Sequence, residues 1–564
     1  MKKVSLFVLI LLLCSVWIAI LNNPAVKAEP KTLVVPLFYN TIQEAVDAAS
    51  DGDTVFVKSG TYNESVSIDV AISLIGEDPA TTIINGDMRL SGTVVLICHH
   101  YVNVTGFTIQ PSAYSWTRRG IHLLHVSYCN VFGNVILNNE EGIWVYGCST
   151  INITGNTVSG KGSGILLECS PANLICRNIL RNNNLGARFI ASPNNTLCNN
   201  TISNNKHGGL VVDSDGNSIL DNIIEHNRAS GIELLGVNNI LKSNKFNNNT
   251  LNFDIDPKLR VDFRNSQFLN DIDSSNTIEG KPIIFWINKQ DQTVPEDAAF
   301  VVLVNCKNII VENLHLSKNP VEIILVSTVN SKVTNNSVEA PDYVIFVHNS
   351  SGNTIANNFV LNGGIGIFLH SSFQNELIGN SVTEATSGIT LEFSKENIID
   401  GNIIFGGYVG IRLDDSNSNI VRKNVVKNCE MVALSFWRNT SQNLFYLNSI
   451  FNNTKNVEPY REIGPVFQFN IWDNGTIGNY WGDYVGTDDN EDGIGDSPYV
   501  IPGVKWDNDA GGDVSFIAGY DNYPLTEPYA IPEFPSWILL ITFVALVAVA
   551  VIYSKKLQNR GISK

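Results

Sequence analysis

Eleven asparagines in this chain stand at one period. Asn134, Asn156, Asn178, Asn200, Asn222 and Asn244 follow one another every 22 residues, and Asn336, Asn358, Asn380, Asn402 and Asn424 resume that spacing after a gap. Three residues before each of them the side chain is apolar, from Val131 and Ile153 to Ile399 and Val421. Two residues after, it is apolar again, from Ile136 and Val158 to Ile404 and Val426. A further apolar pair lies about 13 and 11 residues ahead, as in Ile143/Val145 and Ile389/Leu391. Apolar residues two apart are strand periodicity. A unit of short strands joined by Gly, Asn and Ser turns cannot bury its apolar face alone, so it must stack on copies of itself. Parallel stacking sets equivalent positions about 4.8 Å apart, and an inward asparagine can then bond amide to amide along the column. The spacing predicts an all-β, single-stranded parallel β-helix with 22-residue rungs.

Composition agrees. Asparagine fills 70 of 564 positions while only 16% of residues are charged, against about 25% in ordinary domains. Asparagine competes with the helix backbone and favours turns, which excludes a mainly helical protein. A net charge of −17 without any Lys/Arg tract excludes a nucleic-acid partner. Cysteine is too sparse for a disulfide scaffold. Cys176 and Cys198, one repeat apart, are close enough to touch, although small buried stacks are the commoner use of such residues.

Both ends read as addresses. Lys2 and Lys3 precede the apolar run Val4 to Ile20, and Val26-Lys27-Ala28 offers a cleavage site, so residues 1–28 are expected to be an export signal. Residues 537–553 are uncharged and followed by Lys555, Lys556 and Arg560, which predicts a short transmembrane helix and a basic cytoplasmic tail over 554–564. Between them the expected order is a helical cap with first rungs over 29–119, a repeat block over 120–252, an interruption with irregular rungs over 253–321 and a second block over 322–453. An Asp/Gly/Trp-rich closing module over 454–530 and a linker over 531–536 complete it. In the cap, Ile42, Ala45, Val46 and Ala49 share one face of a short helix.

The opening TIQEAVDAASDGD, the rungs DTVFVKSGTYNESVSI and ISLIGEDPATTIING, and the segments NDIDSSNTIEGKPIIFWINKQ and AAFVVLVNCKNIIVENLHLSKN carry a family resemblance. Over most of residues 30–530 the chain resembles the pectin-lyase-like superfamily and, within it, the NosD-type β-helix proteins of archaeal surfaces. The resemblance implies a right-handed helix, as does the general preference for right-handed crossovers. It also implies export, and, by the family's name, copper. Pro532-Glu533-Phe534-Pro535 resembles an archaeal C-terminal sorting segment, where a sortase-like enzyme exchanges the helix for a lipid. The residues do not support copper: Met1, Met88 and Met431 are the whole thioether supply and the cysteines are scattered, whereas Cu(I) handling favours clustered soft ligands.

Positions flanking the inward strand pair point outward, so columns can be read. Ten residues before the ladder Asn stand His348, His370, Glu392 and Asp414, and twelve before stand Phe346, Phe368, Thr390 and Arg412. This face reads as a glycan groove with exposed Phe346 and Phe368 under the sugars, as a His348/His370/Glu392 metal site, or as a solvated wall. Glu392, Asp414 and Arg412 are the candidate catalytic groups if the protein is a polysaccharide lyase or glycoside hydrolase. The first block offers His122, Trp144, Tyr146, Glu168 and Arg188. Large outward aromatics mark glycan binding, or pack beneath the 253–321 segment. Near the C-terminus Asp488, Asn490, Asp492 and Asp496, with Gly493 in the turn, match the first part of a calcium loop, but Tyr499 stands where the bidentate ligand belongs. The leading expectation is a membrane-anchored surface protein that binds or organises an extracellular polysaccharide or cell-envelope glycan, without certain catalysis. The alternatives are a carbohydrate-active enzyme and a metal-accessory protein.

Overall fold

The computed structural model describes residues 29–87, 90, 92–111, 119–255, 268–459, 470–507 and 512–529. The export signal over 1–28, the sorting segment, the transmembrane helix over 537–553 and the tail expected from the sequence lie outside the described residues. Among the described residues no helix is long and apolar enough to cross a membrane. The chain divides into two compact units, Met1–Thr250 and Leu251–Lys564.

In the first unit a rung is three strands, for example Glu141–Tyr146, Asn152–Thr154 and Thr157–Ser159. Each pairs in parallel with the equivalent strand of the next rung, as Ile143 with Ile165, Ile153 with Ile175 and Val158 with Leu180. Ile143, Val145, Ile153 and Val158 point inward and are fully buried. Three faces around that core make a right-handed parallel β-solenoid. Corners between strands need a left-handed residue, and Asn138, Thr150 and Gly155 supply it with φ of 60, 58 and 64°.

The predicted asparagine column is present, and every side-chain valence in it is used. Asn178 Oδ1 accepts from the backbone N–H of Asn156 at 2.9 Å and from its Nδ2 at 3.1 Å. Asn178 Nδ2 donates to Ile153 O at 2.9 Å and to Asn200 Oδ1 at 3.0 Å. Further columns run beside it. Asn173 donates its backbone N–H to Asn195, Ser170 to the Ser192 hydroxyl, and Asn183 its Nδ2 to Asn205. Cys176 and Cys198, on adjacent strands with Cα atoms 4.7 Å apart, are joined in a disulfide.

The opening segment holds one six-residue helix, Ile42–Asp47, with Ile42, Ala45 and Val46 buried. Thr41 Oγ1 accepts from Glu44 N at 3.1 Å, and Glu64 accepts from the N–H groups of Ile42 and Gln43 at 2.9 and 3.0 Å, so the helix start is satisfied. The helix lies against the strands Thr32–Val35, Thr54–Val57 and Val66–Ile68. A helical cap closing the stack, which the sequence suggested, is not shown among the described residues: the element is under two turns long and packs beside strands.

The second unit repeats the plan, with Ile345, Ile367, Ile389 and Ile411 in register. Within the expected interruption, Lys281–Ile287 pairs with Phe300–Val304 through a short rung that sets Ile283 opposite Phe300, and the long period resumes with Val301 opposite Ile323. A Cβ on Gly388 would sit 2.6 Å from Ile404 Cγ2 and 2.7 Å from Gly410 O, so neighbouring rungs approach there too closely for any side chain. Towards the end the rungs lengthen: Asn424 bonds to Asn448 across 24 residues and Asn448 to Asn479 across 31.

Candidate functional site

Two outward faces carry the predicted residues, one in each unit. In the second unit the strands Tyr343–His348, Ile365–His370, Ser387–Glu392, Val409–Asp414 and Val432–Trp437 align His348, His370, Glu392, Asp414 and Trp437 in one column. Phe346, Phe368, Thr390, Arg412 and Ser435 form the next. The register is as read from the repeat. The exposure is not: Phe346 and Phe368 are buried rather than open to a sugar. Their centroids lie 5.4 Å apart, and the Tyr343 ring packs on them at 5.7 and 5.2 Å. An outward position on a strand is solvent-facing only where no other ring covers it.

His348 Nδ1 and His370 Nδ1 are 3.0 Å apart, and Ser371 Oγ is 3.1 Å from the same His370 atom. Burial, followed by His348 and Arg438, lowers the His370 pKa to about 4. Glu392 turns to Arg438 at 3.1 Å. Asp414 is held by Arg412 Nη2 at 3.1 Å and lies 3.0 Å from Arg438 Nε, although the latter is too poorly aligned to satisfy Asp414 Oδ1 as a hydrogen bond. The Arg412 guanidinium lies 4.0 Å over the Trp437 ring. Burial and then Asp414 raise the Glu392 pKa, against the pull of Arg438 and Arg412. Sequence reasoning missed Trp437 and Arg438 because their rung is longer than 22 residues; the displaced Asn448 was the available signal.

In the first unit, register sets His122 opposite Trp144, Trp144 opposite Leu166, Leu166 opposite Arg188, and Tyr146 opposite Glu168. Trp144, Tyr146 and Glu168 are half-buried and Arg188 is exposed. His122 is buried and stacks on Trp144 at 4.5 Å, 7° from parallel. Burial first, then Arg119 and His125, lowers its pKa to about 4. The Arg119 guanidinium lies 4.0 Å from the Trp144 ring centre, and Tyr146 meets that ring edge-on at 5.7 Å. The buried Trp144 Nε1 and His122 Nε2 have no hydrogen-bond partner. Arg119 and Glu141, opposite one another on these strands, complete the face and were not singled out from the sequence.

Among the described residues no three His, Cys, Asp or Glu side chains are grouped to hold a metal ion. Glu392 faces a guanidinium rather than the His348/His370 pair. In the acidic loop Asp488 accepts from the N–H groups of Asp492 and Gly493 at 3.1 and 2.9 Å, and Asp492 from Ile494 N at 2.8 Å. Asn490 Nδ2 donates to Asp492 at 2.9 Å, and Asp496 accepts from Asp489 N at 2.8 Å. These oxygens are engaged by the turn itself. Tyr499 stacks on Trp481 at 4.5 Å.

A family model described as "Periplasmic copper-binding protein (NosD)" matches residues 46–282 and 274–486. The chain belongs to the NosD family. Copper does not fit the described residues of this NosD chain: no metal cluster is present there, Cys176 and Cys198 are joined to each other, Cys129, Cys148, Cys306 and Cys429 are buried, and the exposed Cys98 and Cys169 join no group of three ligands. A cell surface glycoprotein of Methanothermus fervidus is 27% identical over 148 residues, 26% of this chain and 23% of that relative. The solved Dettilon tailspike protein is 12% identical over 68% of this chain and 62% of its own, with a TM-score of 0.30. A pectin methylesterase from Yersinia enterocolitica is 11% identical over 43% of this chain and 92% of its own, also at 0.30.

Proposed function

We propose that this NosD-family chain is an exported cell-surface β-helix that binds an extended polysaccharide across the outward face of Arg119–Leu124, Glu141–Tyr146, Ser163–Glu168 and Leu185–Ile190. Trp144 carries the reading: a half-buried indole on an outward face, with the Tyr146 ring beside it and Glu168 and Arg188 on following rungs. Ring surface beside carboxylate and guanidinium suits sugars, whose apolar faces stack and whose hydroxyls both donate and accept. Equivalent positions recur every ~4.8 Å, so the face offers a rail to a chain rather than a pocket to one residue. Export is assigned to residues 1–28 and the tether to 537–553, both from sequence. The test is retention of the full chain on polysaccharide affinity gels. Trp144→Ala/Tyr146→Ala should weaken retention at least about tenfold, and equal retention would remove this face from the function.

A second reading has one observation behind it. Glu392, its pKa raised, stands opposite Asp414 on the next strand with Arg412 beside them. Two carboxyl groups in unlike surroundings are what a glycoside hydrolase divides into acid and base. New reducing ends that vanish in Glu392→Gln support it; their absence across the polysaccharides that bind returns the cluster to a structural role.

A further inference from the structure

Eleven Asn-x-Ser/Thr triplets occur in the chain, and the corners of the β-helix present some of them in an unusual way. Asn194, Asn199, Asn248, Asn335 and Asn452 are exposed corner residues with φ of 59, 53, 51, 57 and 56°. Each is followed by an asparagine of an inward column and then by Thr196, Thr201, Thr250, Ser337 or Thr454. Alternation sends the middle residue inside, where Asn195, Asn200 and Asn336 are buried, and returns the hydroxyl to the outside beside the corner amide. The repeat thus converts Asn-Asn-Thr/Ser into an exposed amide with the hydroxyl two residues on.

We propose that these five corner asparagines carry N-linked glycans. The donor would be an oligosaccharide linked through phosphate to a membrane lipid. Asn Nδ2 bonds to the anomeric carbon as the carbon–oxygen bond to phosphate breaks. The lipid phosphate leaves with that electron pair, and one amide proton passes to a base of the transferase. The product amide keeps one N–H, and a sugar at these corners projects into solvent without disturbing a rung, whichever of folding and transfer comes first. Other triplets are built differently. Asn152 Nδ2 donates to Asn130 at 2.7 Å, Asn103 accepts from Asn130 at 2.7 Å, and Asn474 accepts from the N–H groups of Thr476 and Ile477 at 3.0 and 2.9 Å. Asn182, Asn204 and Asn357 are equally exposed corners that lack the hydroxyl and serve as internal controls.

The inference rests on export, which the disulfide between Cys176 and Cys198 supports because such bonds persist in oxidising compartments. The experiment is glycopeptide mass spectrometry of the full chain recovered from the exterior of its source cells. Glycan mass is expected on Asn194, Asn199, Asn248, Asn335 and Asn452 and not on Asn182, Asn204 or Asn357. Thr201→Val should remove it from Asn199 and Thr201→Ser retain it. Bare asparagine at all five positions in surface-recovered protein overturns the proposal while leaving the polysaccharide face untouched. Recovery of the chain only from the cytosol overturns export and this inference together.

Discussion

Asn479 hands the asparagine column to Asp521: its backbone N–H and Nδ2 donate to Asp521 Oδ2 at 2.7 and 3.2 Å. Each asparagine passes a donor forward, so the last member need only accept, which a carboxylate does with both oxygens. Trp481 Nε1 adds a bond to Oδ2 at 2.9 Å and Tyr523 N one to Oδ1 at 3.2 Å.

Burial outweighs those bonds and raises the Asp521 pKa from 3.8 to about 6. A carboxyl whose folded pKa lies above its unfolded value contributes stability that is complete below the unfolded pKa and lost as pH rises through the folded one. The window is therefore 3.8 to about 6, and the size at most roughly 3 kcal/mol. Asp521→Asn keeps an acceptor for Asn479 and removes the titration. Denaturant unfolding at a series of pH values should show wild type losing ground to the variant as pH rises through that window. A constant difference would mean that Asp521 does not titrate there.

A mid-column substitution removes four side-chain bonds. Asn380→Leu strands the N–H of Asn358, which Asn380 now satisfies at 3.0 Å, and removes the bond of 2.8 Å that Asn380 Nδ2 donates to Ile355 O. With each stranded group costing about 1–3 kcal/mol, the variant should lose at least that much in calorimetry or denaturant unfolding. Unchanged stability would show that the column is tolerated rather than required.

One column has a gap that can be filled. Asn183 Oδ1 is buried without a partner because Lys161 occupies the equivalent position one rung earlier, where an asparagine would donate. Lys161→Asn should extend the column from Asn183 and raise stability by about 1 kcal/mol, read as a higher thermal midpoint. A lower midpoint would mean that the Gly160-Lys161-Gly162 corner cannot turn the side chain inward.

The fold was legible because one period fixes everything repeated: strand pairs, register and the inward asparagines all recur every 22 residues. The same period carried the columns through Asn173, Asn183 and Ser170, which a reading centred on Asn178 passed over. Periodicity does not say what lies on top of an outward residue. Phe346 and Phe368 stand in the column that the period predicts and yet are not open rings, since the cover comes from Tyr343, a residue outside the repeat's apolar pattern. Nor does it survive a change of rung length, which is why Trp437, Arg438, Asn479 and Asp521 were not placed.

The His348–His370 contact gives the most direct test of the second face. Two Nδ1 atoms 3.0 Å apart share a hydrogen bond only if one carries a proton and the other a lone pair. Ser371 Oγ, 3.1 Å from His370 Nδ1, accepts from that atom or donates to it according to which ring carries the proton. Burial first, then the neighbouring His348 and Arg438, disfavours a cationic His370, whose pKa falls from 6.5 to about 4. A base whose folded pKa is depressed contributes stability that is complete above the unfolded value and lost as pH falls through the folded one. The loss should therefore run from 6.5 down through about 4. It amounts to roughly 1–2 kcal/mol once solvent at the part-exposed ring is allowed for. His370→Gln cannot titrate, so wild type should lose ground to the variant as pH falls. This is the opposite slope to that expected for Asp521→Asn, and measuring the two variants side by side separates them. Parallel stability curves for wild type and His370→Gln would mean that the imidazole pair titrates as free histidine does and that the contact does not hold this face together.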